Sequence, residues 1–379
     1  MDFIISSNAL LNQISIANKI VGKTNLAILD NLKFEVKDSN LTITASDLES
    51  TLTLEVPVVE HNGECVIAVN ATQIAEVLKN EVEQPLRIEI NEDEYSLKIY
   101  TNTGEYNFPF VDGMDFPQKP SIKEDIKTTI EMPLDLFINS LNITLFAAAK
   151  DEMRPIMNGV NFAFKPEGIA VAATDGQRLA VYRNSSIINE NEVSFVLPKK
   201  PAEILKQILV AKTDSVVELT FDDKNAMFTY ENIVYVCRFL EGNFPNYQQI
   251  IPKDNPHKIV IDRDTFLKSV RKISSVASRG QQLISFNFFE NKVLLVGKDI
   301  DYATSGKDEI PCQYEGDKIR IGFKASVIED MLKVMYSQNV QLELSDPSRA
   351  GLIVPYENEN IEEEIIMLAM PLMINDDEN

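Results

Sequence analysis

Side chains that could carry nucleophilic or acid–base chemistry are scarce in this chain of 379 residues. There are only two histidines, His61 in EHNGE and His257 in NPHK, and both segments have the composition of solvated turns. A serine or cysteine nucleophile needs a positioned base, most often histidine. The neighbouring carboxylates Asp222 and Asp223 fall in a hairpin-like turn with no distinctive partner. The sequence therefore predicts no catalytic residues and a protein that is not an enzyme.

Cofactor and metal signatures are also absent from the sequence. The segment VGKT ends like a phosphate-binding loop, but the motif needs a glycine five residues before Gly22, where Ala17 stands. The three cysteines, Cys65, Cys237 and Cys312, have no metal-binding or redox spacing. We predict no metal and no cofactor, and we expect buried, inert thiols of a protein in a reducing compartment.

Composition limits the location and the partners. The chain has 36 Lys and Arg against 58 Asp and Glu, a net charge of −22, and 44% hydrophobic residues. Neither a secretory signal nor an apolar run of about 20 residues is present, which predicts a cytoplasmic protein without a membrane partner. Taken whole, the acidity opposes binding to nucleic acid, which depends on local positive charge.

The segment ATDGQRLAVYR, residues 173–183, combines a turn with a candidate binding surface. Asp175 and Gly176 are typical of a tight turn between strands. Arg178 and Leu179 follow directly, and a charged and an apolar residue just past a turn could form a local surface site. From the residues alone, a plain hairpin and such a site both remain open.

The chain contains three copies of one unit of about 125 residues. The segments ALLNQI, LFINSL and TFLKSV, anchored on Leu10, Phe137 and Phe266, are spaced by 127 and 129 residues. Strand-turn segments recur with Asp47, Asp175 and Asp299, and a second helix follows each of them. Because the aspartate occurs in every copy, we interpret it as topological rather than catalytic.

This repetition predicts an α+β fold of three tandem domains, each with two helices packed on antiparallel sheets. The linkers PQKPSIKEDIKTT and PKDNPHK interrupt the periodicity. We therefore expect domains at residues 1–120, 128–252 and 257–374, followed by an acidic tail at 375–379.

The predicted helices are locally positive although the chain is acidic. Residues 264–279 contain four basic side chains and one acid, Asp264. Two interpretations remain open: the basic faces are solvated and offset nearby acids, or they meet phosphates.

Four segments together resemble the bacterial DNA polymerase III beta subunit family, the sliding clamps. They are RPIMNGVNF, ATDGQRLAVYR, NFPNYQQIIP and the terminal MLAMPLM. The resemblance covers essentially the whole chain. It implies a processivity factor in which two subunits of three domains form a ring around duplex DNA, with helices lining the hole.

The resemblance also implies a cleft between the second and third domains that binds short Gln-, Leu- and Phe-containing motifs. The partners would be the replicative DNA polymerase, the clamp loader and repair proteins. The cleft residues carried over are Arg154, Met157, Thr174, Gly176, Gln177, Arg178, Leu179, Pro245, Ile250, Val327, Met370, Pro371 and Leu372. The sequence departs from the family pattern at Gln177, usually His, at Met373, usually basic, and at Pro155 and Ile156, often an aromatic pair.

Two further surfaces follow from the resemblance and from the basic helices. We expect sequence-independent contact with double-stranded DNA from Lys19, Lys23, Lys199, Lys200, Arg271, Lys272 and Arg279. We expect a homodimer interface that contains Tyr106 and Phe108 of the first domain and Val276 of the third. The alternative is a three-domain adaptor that binds acidic or peptide partners without encircling DNA.

Overall fold

The structure is a computed structural model, and it describes residues 1–22, 25–151, 153–357 and 360–374. Lys23 and the tail at 375–379, both named above, lie outside the described residues. Within the described part of the chain, no helix is long and apolar enough to cross a membrane.

The same order of elements occurs three times along the chain, in agreement with the repeat seen in the sequence. The first copy contains β1 (Asp2–Ser6), α1 (Ser7–Ala17), β2 (Leu32–Lys37), β3 (Asn40–Ser46), β4 (Ser50–Pro57), β5 (Glu60–Asn62), β6 (Cys65–Val69), α2 (Ala71–Leu78), β7 (Pro85–Asn91), β8 (Ser96–Tyr100) and β9 (Glu105–Asp112).

The second copy contains β10 (Thr128–Pro133), α3 (Leu134–Thr144), β11 (Gly159–Lys165), β12 (Gly168–Thr174), β13 (Arg178–Asn184), β14 (Val193–Pro198), α4 (Lys199–Ile208), β15 (Val216–Phe221), β16 (Asn225–Tyr230) and β17 (Ile233–Arg238). The third contains β18 (His257–Asp262), α5 (Arg263–Ser274), β19 (Leu283–Phe289), β20 (Lys292–Asp299), β21 (Thr304–Pro311), β22 (Ile319–Lys324), α6 (Ala325–Val334), β23 (Asn339–Leu344), β24 (Gly351–Pro355) and β25 (Glu363–Ala369). The predicted α+β class and the two helices per copy are confirmed.

The chain divides into two compact units. One comprises Met1–Ile138 and Lys200–Phe239, and its strands form a single sheet in the order β10-β15-β16-β17-β4-β3-β2-β6-β9-β8-β7-β1-β5. The other comprises Asn139–Lys199 and the chain from Leu240 onward. It contains an eight-stranded sheet, β14-β11-β12-β13-β25-β24-β23-β18, and a four-stranded sheet, β21-β20-β19-β22.

Strand pairing continues from one copy to the next inside each unit. In the first unit β17 pairs antiparallel with β4, from Ile233 opposite Leu54 to Cys237 opposite Ser50. In the second unit β25 pairs antiparallel with β13, from Glu363 opposite Asn184 to Ala369 opposite Arg178. In each unit the last strand of one copy thus pairs with the strand that follows the recurring aspartate of another copy.

Local sequence explains where the helices begin and what they bury. Helix α5 starts after Asp262, whose carboxylate accepts the Thr265 N–H at 2.8 Å as an N-cap. Arg271 and Lys272 lie in its last turn, where positive charge stabilises the helix dipole. Phe266, Val270 and Ile273 are buried on one side, at the spacing of an amphipathic helix.

The recurring aspartates hold turns in all three copies, as the sequence predicts. Asp47 Oδ1 accepts the Ser50 N–H at 2.8 Å, Asp175 Oδ1 accepts the Arg178 N–H at 3.0 Å, and Asp299 Oδ1 accepts the Tyr302 N–H at 3.1 Å. Each carboxylate satisfies backbone donors that face away from the strand ladder. An aspartate therefore recurs at this turn in each copy because its carboxylate stabilises the geometry of the turn.

Candidate peptide-binding cleft and basic surfaces

The turn of the ATDGQRLAVYR segment is fixed by hydrogen bonds between its own residues. Thr174 Oγ1 donates to the Arg178 carbonyl at 2.7 Å and accepts the Gly176 N–H at 3.1 Å. Gly176 has φ +86°, a left-handed backbone conformation that favours glycine. The predicted tight turn at Asp175 and Gly176 is therefore present, between β12 and β13.

Two arginines hold this turn from outside. Arg178 donates from Nε to Asp175 at 3.0 Å and from NH1 to Asp330 of α6 at 2.8 Å. Its guanidinium also lies over the ring of Phe146, 5.3 Å from the centroid. Arg154 is paired with Asp151 at 3.0 Å and donates to the Asp175 carbonyl at 3.4 Å. Both arginines therefore lie beside the turn.

The terminal MLAMPLM segment runs beside the same turn. The Met370 N–H donates to the Gln177 carbonyl at 2.8 Å, and the Leu372 N–H donates to the Gly322 carbonyl at 2.8 Å. A Cβ atom at Gly322 would lie 2.6 Å from the Leu372 carbonyl oxygen, so the close approach of this segment requires glycine. Residues far apart in sequence are thus brought together beside the turn between β12 and β13.

Leu179 lies in a hydrophobic cluster next to this turn. The other buried members are Ala172, Val181, Tyr247, Ala350, Leu352, Ile366 and Leu368, and the partly buried Phe244 and Ile251 pack against them. A groove of 670 Å³ contains Ile251, Leu352 and Ile366 in its walls. Members of the cluster around Leu179 thus also line this groove.

The predicted apolar residues differ in their accessibility. Met370 and Ile250 are exposed, at 44% and 53%, and Pro245 is exposed as well. Leu179, Met157 and Val327 are buried. Pro371 and Leu372 are half-buried, and Gln177 is exposed. Met370 and Ile250 are therefore accessible members of the predicted set, whereas Leu179 lies beneath the surface.

Sequence reasoning missed several members of the cluster. Ala350 and Leu352 come from β24 and the turn before it, and Leu368 pairs directly with Leu179 across β25 and β13. The spacing of two residues between Leu368 and Met370 was a signal that could have identified Leu368, because positions i and i+2 of an extended segment share a face and Met370 was already assigned to the cleft.

Three of the seven predicted DNA-facing cations are paired with carboxylates of the chain. Lys200 forms a short contact with Asp47, Arg271 pairs with Glu329 at 2.9 Å, and Lys272 pairs with Asp308 at 2.5 Å. Ion pairs contribute little where both side chains are solvent-exposed, which is not the case for Asp47, whose side chain is 4% exposed. These pairs are compatible with both interpretations of the basic helix faces, namely that they are solvated and offset nearby acids, or that they meet phosphates.

The remaining predicted cations have different surroundings. Lys19 is exposed just beyond the end of α1. Lys199 donates from Nζ to the Ala148 carbonyl at 3.1 Å. Arg279 lies over the ring of Tyr302, 4.8 Å from the centroid. Lys268, which was not assigned to this set, is an exposed residue of α5.

The predicted interface residues lie on or beside strand edges. Phe108 of β9 is buried, at 8% exposure, and Tyr106 is half-buried, with its hydroxyl 3.4 Å from Glu81. Val276 is half-buried and lies against β21, since a Cβ at Gly306 would be 2.8 Å from its Cγ2 atom. Phe108 thus packs largely within its own unit, whereas Tyr106 and Val276 retain accessible surface.

All three cysteines are free and buried, and burial raises the pKa of Cys65 and of Cys312 to about 11 each. No group of three or more His, Cys, Asp or Glu residues within the described ranges could hold a metal ion.

Comparison with known proteins shows the family. The DNA polymerase III beta subunit families match as N-terminal domain over residues 1–120, central domain over 131–246 and C-terminal domain over 248–369. A beta sliding clamp from Bacillus subtilis is 26% identical over 385 residues, covering 97% of this chain and 99% of that protein.

Solved structures show the same fold. The DNA polymerase III beta subunit from Thermotoga maritima superposes with a TM-score of 0.89 at 27% identity, covering 99% of this chain and 100% of that one. The corresponding subunit from Pseudomonas aeruginosa has a TM-score of 0.91 at 21% identity, with the same coverage.

Proposed function

Because this chain belongs to the DNA polymerase III beta subunit family, we propose that two copies form a ring around duplex DNA and tether DNA-processing proteins to it. Sliding clamps are processivity factors rather than enzymes. The proposal includes the finer assignments made from the sequence: the domains at 1–120, 128–252 and 257–374, the docking cleft, the basic surfaces, the dimer interface and a cytoplasmic location.

The observation that carries the ring is the pattern of strand edges. The strands β4, β13 and β21 occupy the same place in the three copies, as do β9, β17 and β25. Within the units β4 pairs with β17 and β13 pairs with β25. Among the described residues β21 is an edge strand, and residues 105–109 of β9 pair only with β8. The third pair of the series, β21 with β9, is therefore left for a second copy.

This pairing predicts a head-to-tail dimer. Each copy offers one β21 and one β9 edge, so the contact is heterologous, and only closure at two copies prevents growth into filaments. Tyr106 and Val276 retain accessible surface beside these edges.

The double variant Tyr106→Glu, Val276→Glu should be monomeric in light scattering. The matched control Tyr95→Glu, Val210→Glu changes exposed positions elsewhere and should leave the dimer intact. A Tyr106→Glu, Val276→Glu protein that remains dimeric at low concentration would contradict this interface.

The tethering function is tested on circular DNA. A closed ring should stay on nicked circular duplex and leave it once the circle is cut, because the retention is topological. Helix cations should add only a salt-dependent contribution without sequence preference. Replacing Lys19, Arg271 and Lys272 by Gln should weaken retention and flatten its salt dependence. Release at the same rate from circular and cut DNA would favour the adaptor without a ring.

The docking cleft is supported by the convergence of the turn at Gly176, the terminal segment and the cluster around Leu179. Methionine suits varied ligands because its unbranched thioether adapts its shape, and Met370 is the exposed methionine beside the turn. A fluorescent peptide containing Gln, Leu and Phe should bind saturably, and an excess of the same peptide without the label should displace it. Absence of saturable binding by a folded dimer would contradict the assignment.

A further inference from the structure

The four-stranded sheet of the second unit has one face covered by α5 and a second, more open face, which the terminal segment reaches at Gly322 through Leu372 and Ile374. A Cβ atom at Gly297 of β20 would lie 2.7 Å from Ile273 of α5, so the face with Gly297 packs against that helix. Successive residues of a strand point to opposite faces. Val296 and Lys298 therefore lie on the face turned away from α5.

The register of the strands places several cations on this open face. Ser285 pairs with Val296 and with Gly322, Val296 pairs with Lys307, and Asn287 pairs with Arg320. Leu283 likewise pairs with Lys324. We name the set Lys298, Lys307, Arg320 and Lys324 the basic sheet face.

Few acids among the described residues lie on this face. On the open face of the four strands, Glu309 is the only carboxylate among the described residues, and it pairs with Lys292 at 3.0 Å. Nearby loops contain Glu290, Asp301, Glu315 and Asp317. No described carboxylate lies within ion-pair distance of Lys298, Lys307 or Lys324. Among the described residues these lysines form a locally positive surface in a protein of net charge −22, and such a surface attracts anions.

A small cleft lies on this face, beside the loop between α5 and β19. It has a volume of 40 Å³ and is lined by Lys298, Arg320, Ser278, Ser285, Gln281, Leu283 and Val296. Arg320 is positioned by a hydrogen bond from Nε to Ser285 Oγ at 3.2 Å. Two cations and two hydroxyls around a space of this size suit one phosphate group, whose oxygens accept several donors at once.

The spread of the cations indicates a polymer rather than a single anion. Lys307 on β21 and Arg320 on β22 lie three strand spacings apart, about 14 Å. Leu294 and Val296 are half-buried between them. The ring of Phe289 has Lys318 at 5.5 Å and Lys292 at 6.0 Å from its centroid. Cations that follow a backbone, combined with apolar and aromatic surface for bases, are the features of single-strand binding sites.

We propose that the basic sheet face binds the phosphate backbone of single-stranded nucleic acid. The site lies on the opposite side of its sheet from α5, whose cations are assigned above to duplex DNA. It is therefore separate from the contacts inside the proposed ring, and its binding does not require the ring to form.

The test uses the full chain and a fluorescent oligothymidine of about 20 nucleotides, longer than the roughly 4–16 nucleotides that single-strand sites cover. Streptavidin at both ends prevents the strand from threading through a ring. Fluorescence anisotropy gives Kd as a function of salt. The test variant is Lys298→Gln, Lys307→Gln, Lys324→Gln. The matched control is Lys37→Gln, Lys119→Gln, Lys224→Gln, which removes the same charge at exposed positions of the other unit.

We expect Kd to rise about ten-fold in the test variant and less than about two-fold in the control. Because each phosphate contact on a single strand contributes about 0.7 to the slope of log K against log salt, three lost contacts should reduce that slope by about 2. A second variant, Lys298→Gln with Lys307→Gln, leaves the start of α6 intact and should show about two-thirds of the change in slope.

Three results would overturn the proposal: no binding of the blocked oligonucleotide by the wild-type chain at low salt, equal losses in the test and control variants, or equally tight binding of polyglutamate of the same length. The last would assign the face to acidic peptides. Retention on circular duplex should be the same in the wild type and the test variant, so failure of this site is distinguishable from failure of the ring.

Discussion

Arg178 and Asp330, separated by 152 positions in the sequence, are joined by a 2.8 Å hydrogen bond from the guanidinium to the carboxylate. The same guanidinium holds Asp175 at 3.0 Å. The turn of the ATDGQRLAVYR segment is therefore fixed to helix α6 of the following copy. Because the Gln177 carbonyl accepts the Met370 N–H, the arginine also positions the terminal segment.

Replacing Arg178 by Lys should lower the free energy of unfolding by about 1.5–3 kcal/mol, because an ammonium cannot reproduce both hydrogen bonds to charged partners. Chemical unfolding measures the change. The control is Arg183→Lys, whose pair with Glu364 is more exposed and should cost less than about 1 kcal/mol. An equal decrease in the free energy of unfolding in the two variants would mean that the two hydrogen bonds of Arg178 stabilise the fold no more than the exposed pair of Arg183.

Replacing Met370 or Ile250 by Ala should weaken docking of a Gln-, Leu- and Phe-containing peptide by more than about 1 kcal/mol, as for hot-spot residues. Both side chains are exposed, so stability should change little. Met114→Ala and Ile188→Ala are matched controls at exposed positions elsewhere. Peptide anisotropy and thermal unfolding of the same samples separate the two effects, and unchanged affinity in both variants would remove these residues from the cleft.

Leu179→Ala should behave differently from Met370→Ala. Because Leu179 is fully buried, truncation should cost about 2–5 kcal/mol of stability through lost packing and a cavity. Peptide affinity, measured below the unfolding transition, should fall as well if the peptide meets the cluster. A stability loss with unchanged affinity would make Leu179 a core residue only.

Asp47 should contribute a pH-dependent share of stability. Burial acts to raise the pKa of its carboxyl, but hydrogen bonds from Lys200 and from the backbone and hydroxyl of Ser50 outweigh burial and lower the pKa below its ordinary value of 3.8. A carboxyl with a lowered pKa stabilises the fold above its unfolded pKa, and that stability is lost as the pH falls through the folded pKa.

The difference in unfolding free energy between wild type and Asp47→Asn should therefore be constant from about pH 8 to pH 5 and shrink below about pH 3.8. Urea unfolding across this range measures it. A difference that changes between pH 8 and pH 6 would require another titrating group.

The cysteines should react only when the chain unfolds. Burial raises the pKa of all three thiols, so few thiolates exist near neutral pH. A disulfide reagent added at pH 8 should modify native protein slowly and all three thiols at once in concentrated guanidinium chloride. Rapid modification of one thiol in the native protein would show local opening at that cysteine.

Local patterns in the sequence predicted much of the fold. The spacing of Leu10, Phe137 and Phe266 identified the repeat, and the aspartate at the recurring turn was correctly assigned a topological role. Both depend on residues close in sequence or at a constant period, which a pattern can show. The additional strand before each first helix and the short β5 were not predicted, because brief edge strands have weak signals.

Long-range pairing explains what the sequence did not predict. Several contacts join residues from separate elements. They are the hydrogen bond between Arg178 and Asp330, the packing of Leu352 beside Leu179, and the ion pairs of Lys200, Arg271 and Lys272. The local sequence of a segment does not show which distant strand will pack against it, or which face of that strand it will meet. The basic sheet face was missed for the same reason, because its cations come from three strands and are adjacent only across the register.

The unpaired edges of β9 and β21 determine how such a ring would respond to being opened. Separation at one junction leaves the two copies joined at the other, so the freed edges remain tethered at a high effective concentration. Reclosure is then a first-order event whose rate does not depend on how dilute the protein is. Complete dissociation, by contrast, exposes two uncovered strand edges on each subunit, a state prone to unwanted β-pairing. The same pair of edges thus favours brief, single openings over separation into subunits.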